Sequence, residues 1–354
     1  MRVGTFQAIR FSEKFWNSAH SGIFDNSDTT SKIQKTGDVI PFLNEQITRG
    51  VAKIDSQPGL YVLRITANEK SVTSIIGEVG YDEHTTFLVN EDIHREKLEY
   101  YKKMFTQYRL QTNPILTFYQ GSRLISSMVG DIQQAPPTSG AFINGARYEL
   151  WHVNKMESVE SIRSSLGKVD KLYIADGHHR FAVFKSGMPG AAAKLIVSIT
   201  DASSVILKSC HKVVIGDVAQ NWVAKISGVA DVRRLPKLEY RRDGIIAIFK
   251  SGERFLLAPK QSGRNIYDVV NSDIIRGAFG IQDYKNRVFP LPGNIRFEDI
   301  DRIFDLYLNG SVILFVPSID ISEFFKTIDA GNTLPATSTW FEPKIIDGFI
   351  TRKF

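Results

Sequence analysis

The sequence predicts an α+β protein, and two patterns indicate this most directly. Leu60 to Thr66 and Ser71 to Tyr81 are rich in β-branched side chains and are separated by Asn68-Glu69-Lys70, which is typical of a β-hairpin. Leu172 to Ala175 is a short apolar run that ends abruptly at Asp176-Gly177, and we expect a helix to follow this turn. The chain therefore combines paired strands with a strand-to-helix junction.

Other elements of the first two thirds follow in order from their apolar spacing and their breaking residues. Apolar residues recur at helical spacing after Asn90-Glu91-Asp92, and two prolines with several glycines favour a loop further on. We predict a helix at Asn90 to Tyr108, a strand at Ile115 to Tyr119, a long loop or hairpin tip at Gly130 to Arg147, a strand at Tyr148 to Val153, a helix at Glu157 to Leu166 and a strand at Lys194 to Thr200. The strand, Asp-Gly turn, helix and strand around residue 177 are then one compact β-α-β unit.

A second α+β region is predicted after Val214. Its helices are expected at Gln220 to Ile226, Tyr267 to Phe279, Phe297 to Leu308 and Ile321 to Ala330, with a hairpin at Ile245 to Lys250 and Arg254 to Ala258 and a strand at Val312 to Val316. Gly331 is expected to cap the last helix.

Composition places the chain among ordinary globular proteins. It has 354 residues, of which 43% are hydrophobic and 23% charged, and it has no run of 18 apolar residues, so no membrane partner is expected. The residues after Met1 lack the apolar stretch of a signal peptide. A single cysteine, Cys210, cannot form an internal disulfide or a Cys-rich zinc module. We expect a cytoplasmic protein.

Charge leaves polyanion binding open. The net charge is +6, but the basic residues are scattered as short pairs, and we find no basic arm or recognition-helix pattern. No nucleic-acid partner is therefore expected.

The segment Gly177-His178-His179-Arg180 carries the strongest chemical pattern. It places three potential cations in successive residues at the first turn of a predicted helix, where unpaired backbone N–H groups and the helix dipole favour an anion. The alternative interpretation is a solvated polar turn that binds no ligand. Burying three such groups without a negative partner is unfavourable, so the pattern predicts a phosphate site.

Two long motifs resemble the prokaryotic family known as domain of unknown function 1015. They are Tyr173-Ile-Ala-Asp-Gly-His-His-Arg180 and Asp329 to Gly348, and three further stretches are similar to it, at Tyr61 to Tyr119, Trp151 to Val214 and Tyr267 to Asp301. The Asp-Gly-His-His-Arg segment of that family is similar to the phosphate-binding segment of the ParB/sulfiredoxin superfamily. The resemblance implies a mixed-sheet ParB/sulfiredoxin-like core with additional α+β regions on both sides.

Part of the family pattern is changed in this chain. Glu91 matches the acid of a His-Glu-x-Thr segment in which Asn90 stands for the His and Ile93 for the Thr, and Lys97 matches a later basic residue. His211 and Lys212 match a Thr-His-Arg segment, and Thr337 replaces a usual Lys. The Pro-Pro-Tyr-Asp of the family reads here as Ser21-Gly22-Ile23-Phe24-Asp25.

The resemblance implies a phosphoryl-transfer enzyme, most specifically a kinase that converts free L-serine to O-phospho-L-serine with ATP, ADP or pyrophosphate. Mg²⁺ is expected to bridge the donor, held largely by phosphate oxygens, and no protein ligand for the metal is assigned. The expected catalytic residues are Asp176, Glu91, His178 and His179. The expected phosphate- or nucleotide-binding residues are Gly177, Arg180, Ser338, Thr339, Lys344 and His211. The partner is a small amino acid, and a homodimer is left open.

Several of these residues also have a simpler structural interpretation. Glu91 could be an ordinary first-turn acid, Ser338-Thr339 an N-cap or turn, His211 a structural histidine and Cys210 a buried apolar residue. Two other functions are also open: a nucleotide-switched ParB-like binding protein, and a noncatalytic phosphate-binding module. We predict an N-terminal α+β region at 1–120, a phosphate-binding core at 121–215 and a C-terminal region at 216–354 that completes the site.

Overall fold

A computed structural model provides the structure of the chain. It describes residues 1–17, 39–80, 86–91, 95–187, 194–260, 264–307 and 310–354. These residues form two compact units, one made of Met1–Ile206 with Pro343–Phe354 and the other of Leu207–Glu342. Across these ranges, none of the helices has the length and apolarity needed to cross a membrane. The segment Ser21 to Asp25 and the Lys97 side chain lie outside what is described.

The first unit contains short helices around a long sheet. Its helices are α1 Glu13–Asn17, α2 Val39–Thr48, α3 Arg95–Thr106, α4 Arg123–Ile132, α5 Met156–Leu166, α6 His178–Lys185 and a 3₁₀ turn at Ala202–Ser204. Its strands are β1 Val3–Gly4, β2 Ile9–Phe11, β3 Ala52–Ile54, β4 Leu60–Ala67, β5 Lys70–Gly80, β6 Thr86–Leu88, β7 Leu110–Gln111, β8 Ile115–Tyr119, β9 Ser139–Ile143, β10 Ala146–Val153, β11 Lys171–Asp176, β12 Lys194–Asp201 and β21 Arg352–Lys353.

The large sheet of the first unit is mixed. Among the described strands its order is β6-β11-β8-β12-β5-β4-β10-β9, with β1 paired to β5. The pairs β11·β6 and β12·β8 are parallel, and the other pairs are antiparallel. The predicted α+β class with a mixed sheet is confirmed, while the ParB/sulfiredoxin-like assignment of the core stays a prediction.

The two hairpins of this sheet turn on left-handed residues. The predicted hairpin of β4 and β5 is confirmed, and its two turn residues, Asn68 and Glu69, both have positive φ, as a type I′ turn requires. Asn144 and Gly145 make the same kind of turn between β9 and β10. The tip of this second hairpin lies within Gly130 to Arg147, which was predicted as a long loop or hairpin tip, and its second strand continues to Val153.

The β-α-β interpretation around residue 177 is wrong. Strand β8 lies between β11 and β12, antiparallel to the first and parallel to the second, so β11 and β12 run in opposite directions. The bounds of β11, α6 and β12 were predicted correctly. Their order in the sequence then suggested a helical crossover between parallel neighbouring strands. The partner that separates the two strands comes from some 55 residues earlier in the sequence, where no local pattern records it.

The last residues of the chain are part of the first unit's core. Ile345, Phe349 and Ile350 are buried in the same apolar cluster as the sheet residues. Strand β21 pairs with β7, and Gly348 N donates to Thr112 O at 2.8 Å. These contacts fix the C-terminal tail, Pro343 to Phe354, against β7 and Thr112 of the first unit, which also contains the Asp-Gly junction.

The second unit is built on an antiparallel sheet in the order β15-β17-β16-β19-β14-β18. Its strands are β13 Ile206–Ser209, β14 His211–Ile215, β15 Ala230–Arg234, β16 Ile245–Phe249, β17 Arg254–Pro259, β18 Val288–Leu291, β19 Gly310–Phe315 and β20 Thr339–Glu342, the last pairing with β13. Its helices are α7 Trp222–Ile226, α8 Ile266–Asp268, α9 Tyr284–Arg287, α10 Ile300–Leu306 and α11 Ile321–Asp329, with a π-helix at Val269–Ala278 and a 3₁₀ turn at Phe297–Asp299.

Several predicted elements differ in detail. Helix α4 was not predicted, and the described part of the helix expected from Asn90 begins only at Arg95. Tyr267 to Phe279 is helical, but mostly with π rather than α hydrogen bonding. Gly331 has φ +77 after α11, as a helix cap requires. The three-region division stays a prediction; its first two regions share one sheet.

Candidate active site

The Asp-Gly junction is formed by the end of one strand and the beginning of one helix. Leu172 to Ala175 are buried in β11, and helix α6 begins at His178. Between them Gly177 has φ +98, a left-handed conformation that side chains rarely adopt. A Cβ there would lie 2.8 Å from an Arg180 guanidinium nitrogen. The junction therefore requires glycine both for its backbone conformation and for the space that Arg180 occupies.

Arg180 is buried beneath this turn and is held on several sides. One terminal nitrogen donates to Asn113 O at 2.5 Å and to Pro114 O at 3.0 Å, and the other donates to Asp176 Oδ2 at 2.8 Å. The guanidinium also lies over the ring of Tyr101 at 5.9 Å. Because its terminal nitrogens are engaged within the protein, Arg180 fixes the carboxylate of Asp176.

Asp176 lies between two cations. Its second oxygen accepts from Lys344 Nζ at 3.0 Å, so Arg180 and Lys344 bind opposite oxygens of one carboxylate. Burial would raise the pKa of Asp176, but Lys344 and Arg180 outweigh it and hold that pKa well below its usual range. The side chains of Asp176 and Lys344 are 34% and 40% exposed, so this ion pair is open to solvent while Arg180 is not.

His178 occupies the first position of α6 and is buried. Its Nε2 hydrogen-bonds with Oδ1 of Asn90, a side chain with no exposed surface. Burial lowers the pKa of His178; Glu91 and Asp176 oppose this effect, and Arg180 and Lys344 add to it. The imidazole is therefore neutral at pH 7, within the fields of two acids and two cations.

The C-terminal tail brings Lys344 to this place through several separate contacts. Tyr148 Oη donates to Lys344 O at 3.2 Å, Asn113 Nδ2 donates to Ile345 O at 3.1 Å, and Thr112 Oγ1 donates to Asp347 Oδ1 at 2.8 Å. Asn113 thus anchors both the tail and, through its carbonyl, the guanidinium of Arg180. The lysine and the aspartate, 168 residues apart in sequence, are held by one local framework.

The first unit therefore brings together many of the predicted site residues. They are Glu91, Asp176, Gly177, His178, Arg180 and Lys344, joined by the hydrogen bonds and electrostatic effects above. His179 is half-buried on the same helical turn. The role of each residue in binding or catalysis stays a prediction.

The remaining predicted residues belong to the second unit and have partners there. His211 Nδ1 accepts from Val316 N at 3.1 Å, and burial, with Lys208 and Lys212 adding to it, lowers the pKa of His211 to about 4. Ser338 is 1% exposed and its hydroxyl donates to Pro335 O at 2.6 Å.

Backbone groups of the same segment are also used within the second unit. Cys210 N donates to Ser338 O at 2.8 Å, and the Cys210 thiol donates to Thr339 O at 3.2 Å. These contacts are structural, and the predicted phosphate-binding role of Ser338, Thr339 and His211 stays untested.

Sequence reasoning did not assign a role to Asn90, Asn113 or Pro114. Asn90 was noted only as a replacement in the family pattern, and the other two contribute mainly backbone carbonyls. Carbonyl contacts leave no trace in residue identity. A polar residue next to a candidate catalytic acid, as Asn90 is to Glu91, was the one available signal.

Part of the chain matches the model of a known family. Residues 23–188 match the model of a family described as protein of unknown function (DUF1015), which confirms the resemblance over a segment that includes the Asp-Gly junction. The match does not extend to the C-terminal motif. A search of curated proteins finds no match.

Several solved structures share a distant likeness with the chain. A free serine kinase mutant in complex with ADP is 12% identical over 77% of this chain and 91% of its own, with a TM-score of 0.43. SbnI with a C-terminal truncation, from Staphylococcus aureus, is 12% identical over 77% and 85%, with a TM-score of 0.42. A conserved hypothetical protein from Pyrococcus furiosus is 12% identical over 76% and 92%, also at 0.42.

Proposed function

We propose that the chain is a small-metabolite kinase that transfers a phosphoryl group from ATP, ADP or pyrophosphate to the hydroxyl of free L-serine. One observation carries the proposal: at the start of α6, the solvent-accessible Asp176–Lys344 pair lies directly against a left-handed glycine turn and a neutral histidine. Phosphoryl transfer needs positive and hydrogen-donating groups around a phosphate and an acceptor for the hydroxyl proton. The junction offers both kinds of group.

The donor phosphates would be held by the helix start and by Lys344. The first backbone N–H groups of α6, which begins at His178, point toward its N-terminus, where an anion is favoured. Lys344 is an exposed cation bound to the carboxylate of Asp176, which also binds Arg180. A phosphate that arrives at this turn can exchange with Asp176 for the ammonium of Lys344.

Asp176 is suited to an electrostatic role more than to proton transfer. Since its two cationic neighbours keep its pKa well below the usual range, the carboxylate is ionised at every physiological pH and is a weak base. We assign it the positioning of Lys344, whose ammonium it binds at 3.0 Å. The proton acceptor is then sought among Glu91 and His178.

Mg²⁺ would be held mainly by the donor. Within the described ranges no three His, Cys, Asp or Glu side chains are placed to hold a metal ion. Mg²⁺ would keep phosphate oxygens and water as most of its ligands, and no protein ligand is assigned to it. The metal would supply charge neutralisation at the transferred phosphoryl group.

Incubation of the protein with Mg²⁺, L-serine and, separately, ATP, ADP or pyrophosphate tests the proposal. We expect phosphoserine, detected by ³¹P NMR or mass spectrometry, with at least one donor. Lys344→Ala should reduce its formation by about 100-fold or more, because it removes the exposed cation that binds Asp176 beside the turn.

Lys353 provides the matched control for this experiment. It is an exposed lysine of the same tail, and Lys353→Ala should leave the rate unchanged. Donor hydrolysis that does not depend on serine would instead favour the nucleotide-switch function. The absence of any turnover, with phosphate still bound, would favour a noncatalytic binding module.

A further inference from the structure

Asn90 occupies an unusual position beside the candidate site. Its side chain has no exposed surface, its Oδ1 contacts Nε2 of His178, and its Nδ2 has no hydrogen-bond partner among the residues that the structure describes. Leaving a buried amide donor without a partner is unfavourable, because the group gives up its hydrogen bonds to water. Asn90 therefore makes one specific contact, with the histidine, in an environment that a smaller or apolar residue would fill at less cost.

The chemistry of this contact restricts the proton on the imidazole. An amide oxygen can only accept a hydrogen bond, so a neutral ring that turns Nε2 toward Oδ1 carries its proton on that nitrogen. The other nitrogen, Nδ1, is then the one with a free lone pair. A buried histidine without such a contact would be free to populate both neutral forms.

We propose that Asn90 is a positioning residue that holds His178 in the Nε2-protonated form, so that Nδ1 accepts the proton of the substrate hydroxyl. The proton-transfer part of this inference rests on the proposed function. In the step, the hydroxyl proton moves to Nδ1, the substrate oxygen forms a bond to the transferred phosphorus, and the bond from that phosphorus to the donor oxygen breaks. Its electron pair stays on the leaving phosphate.

The charged groups around His178 suit it to a transient positive charge. Glu91 and Asp176 favour the imidazolium, whereas burial, Arg180 and Lys344 disfavour it. The ring thus rests neutral and is charged only while the hydroxyl proton is held. Asp176 is a weaker base than His178, because a cation is bound to each of its two oxygens.

Nitrogen-15 NMR of the wild-type protein labelled at histidine tests the assignment without any activity measurement. His178→Gln identifies the signals of His178. We expect its Nε2 to have the shift of a protonated nitrogen and Nδ1 that of an unprotonated one. The opposite pattern, with the proton on Nδ1, would overturn the inference.

Variants of Asn90 show whether this residue is the cause. Asn90→Ala should mix the two neutral forms and lower kcat about tenfold or more, with KM within about twofold of the wild-type value. Thr117→Val is the matched control, because it removes another buried hydrogen bond of the unit, from Thr117 Oγ1 to Ser198 O at 3.0 Å. The control should not change the His178 signals. Unchanged signals in Asn90→Ala would overturn the inference.

The isosteric variant Asn90→Asp gives an independent test if the alanine variant does not fold. A carboxylate beside Nε2 favours the imidazolium, so the titration of His178 and the acid limb of kcat/KM should both move up by about one pH unit or more. An unmoved titration contradicts the inference. If the NMR results hold and the wild-type protein makes no phosphoserine, the proposed function fails while the positioning role of Asn90 stands.

Discussion

His178 in the first unit and His211 in the second are both buried, and burial lowers the pKa of both, yet their surroundings differ. His211 accepts a backbone N–H from Val316, packs on the ring of Phe315 at 4.6 Å and has only cations, Lys208 and Lys212, acting on it. His178 has acids as well as cations around it. Burial alone makes a histidine neutral. Carboxylates nearby are what allow such a neutral histidine to take up a proton during a reaction.

The lysines of the two units show the same contrast. Lys212 is 3% exposed, and its ammonium donates to the backbone oxygen and the hydroxyl of Thr337 at 2.8 and 3.0 Å. Lys344 is 40% exposed and bound to a carboxylate. An anionic ligand can displace Asp176 from Lys344 without burying a charge. For Lys212 it would have to replace structural contacts, so the first unit carries the better candidate site.

The largest expected effect is that of Arg180→Met. It leaves the carbonyls of Asn113 and Pro114 without their donor and removes one partner of Asp176, so the free energy of unfolding should fall by about 3–5 kcal/mol. Arg241→Met removes an exposed pair with Asp243 in the second unit and should change stability little. Urea denaturation of both variants measures the difference. Equal losses of stability in the two variants would contradict the structural role that we assign to Arg180.

The pH dependence of stability should identify His211 as a structural histidine. Its folded pKa of about 4 lies below the unfolded value of about 6.5, so the unfolded state binds the proton first and stability falls as pH decreases between these values. From pH 6.5 to 4 the wild-type protein should lose about 3 kcal/mol more than His211→Leu. Denaturant titrations at pH 7, 6, 5 and 4 measure this difference; parallel curves would contradict it.

A smaller effect should separate two left-handed glycines. Gly177→Ala and Gly252→Ala both place a side chain at positive φ, but only the Cβ at 177 would approach the Arg180 guanidinium; nothing lies within 4 Å of the one at 252. We expect Gly177→Ala to be about 1–2 kcal/mol more destabilising than Gly252→Ala. Thermal denaturation compares them. The reverse order would show that Arg180 is not tightly held.

A further effect concerns the contribution of Asp176 to stability at acid pH. A carboxyl whose folded pKa is depressed contributes stability above its unfolded pKa of about 3.9, and this contribution is lost as pH falls toward the folded value. The stability difference between wild type and Asp176→Asn should therefore be present at pH 7 and shrink below about pH 4. Denaturant titrations at pH 7 and below pH 4 measure this stability difference. A difference that does not change with pH would contradict the depressed pKa of Asp176.

Local patterns in the sequence predicted most strands and helices because each has its own apolar spacing and its own breaking residues. The hairpin at Leu60 to Ala67 and Lys70 to Gly80 and the strand that ends at Asp176 are close to their predicted bounds. The turn at Asn144-Gly145 lies within Gly130 to Arg147, which was predicted as a long loop or hairpin tip, and the structure selects the hairpin tip. Strand order was not predictable, because β8 inserts between β11 and β12 from a distant part of the chain.

The site was predictable in its motif and not in its contacts. The residue types at 176–180 predicted a phosphate site. The similarity of the C-terminal motif to a known family indicated Lys344. That Arg180 turns inward to two carbonyls, and that Asn90 meets His178, depends on tertiary packing. Residue types therefore indicated which groups matter, and the fold determines which of them face a ligand.

We propose that the start of helix α6 and Lys344 bind the phosphate group that is transferred. A crystal structure of the protein with Mg²⁺ and ADP or pyrophosphate tests it most directly. We expect a phosphate group within hydrogen-bond distance of the backbone N–H of His178 or His179, with Lys344 Nζ turned from Asp176 to a phosphate oxygen. A ligand bound elsewhere, with the Lys344–Asp176 pair of 3.0 Å intact, would contradict the account.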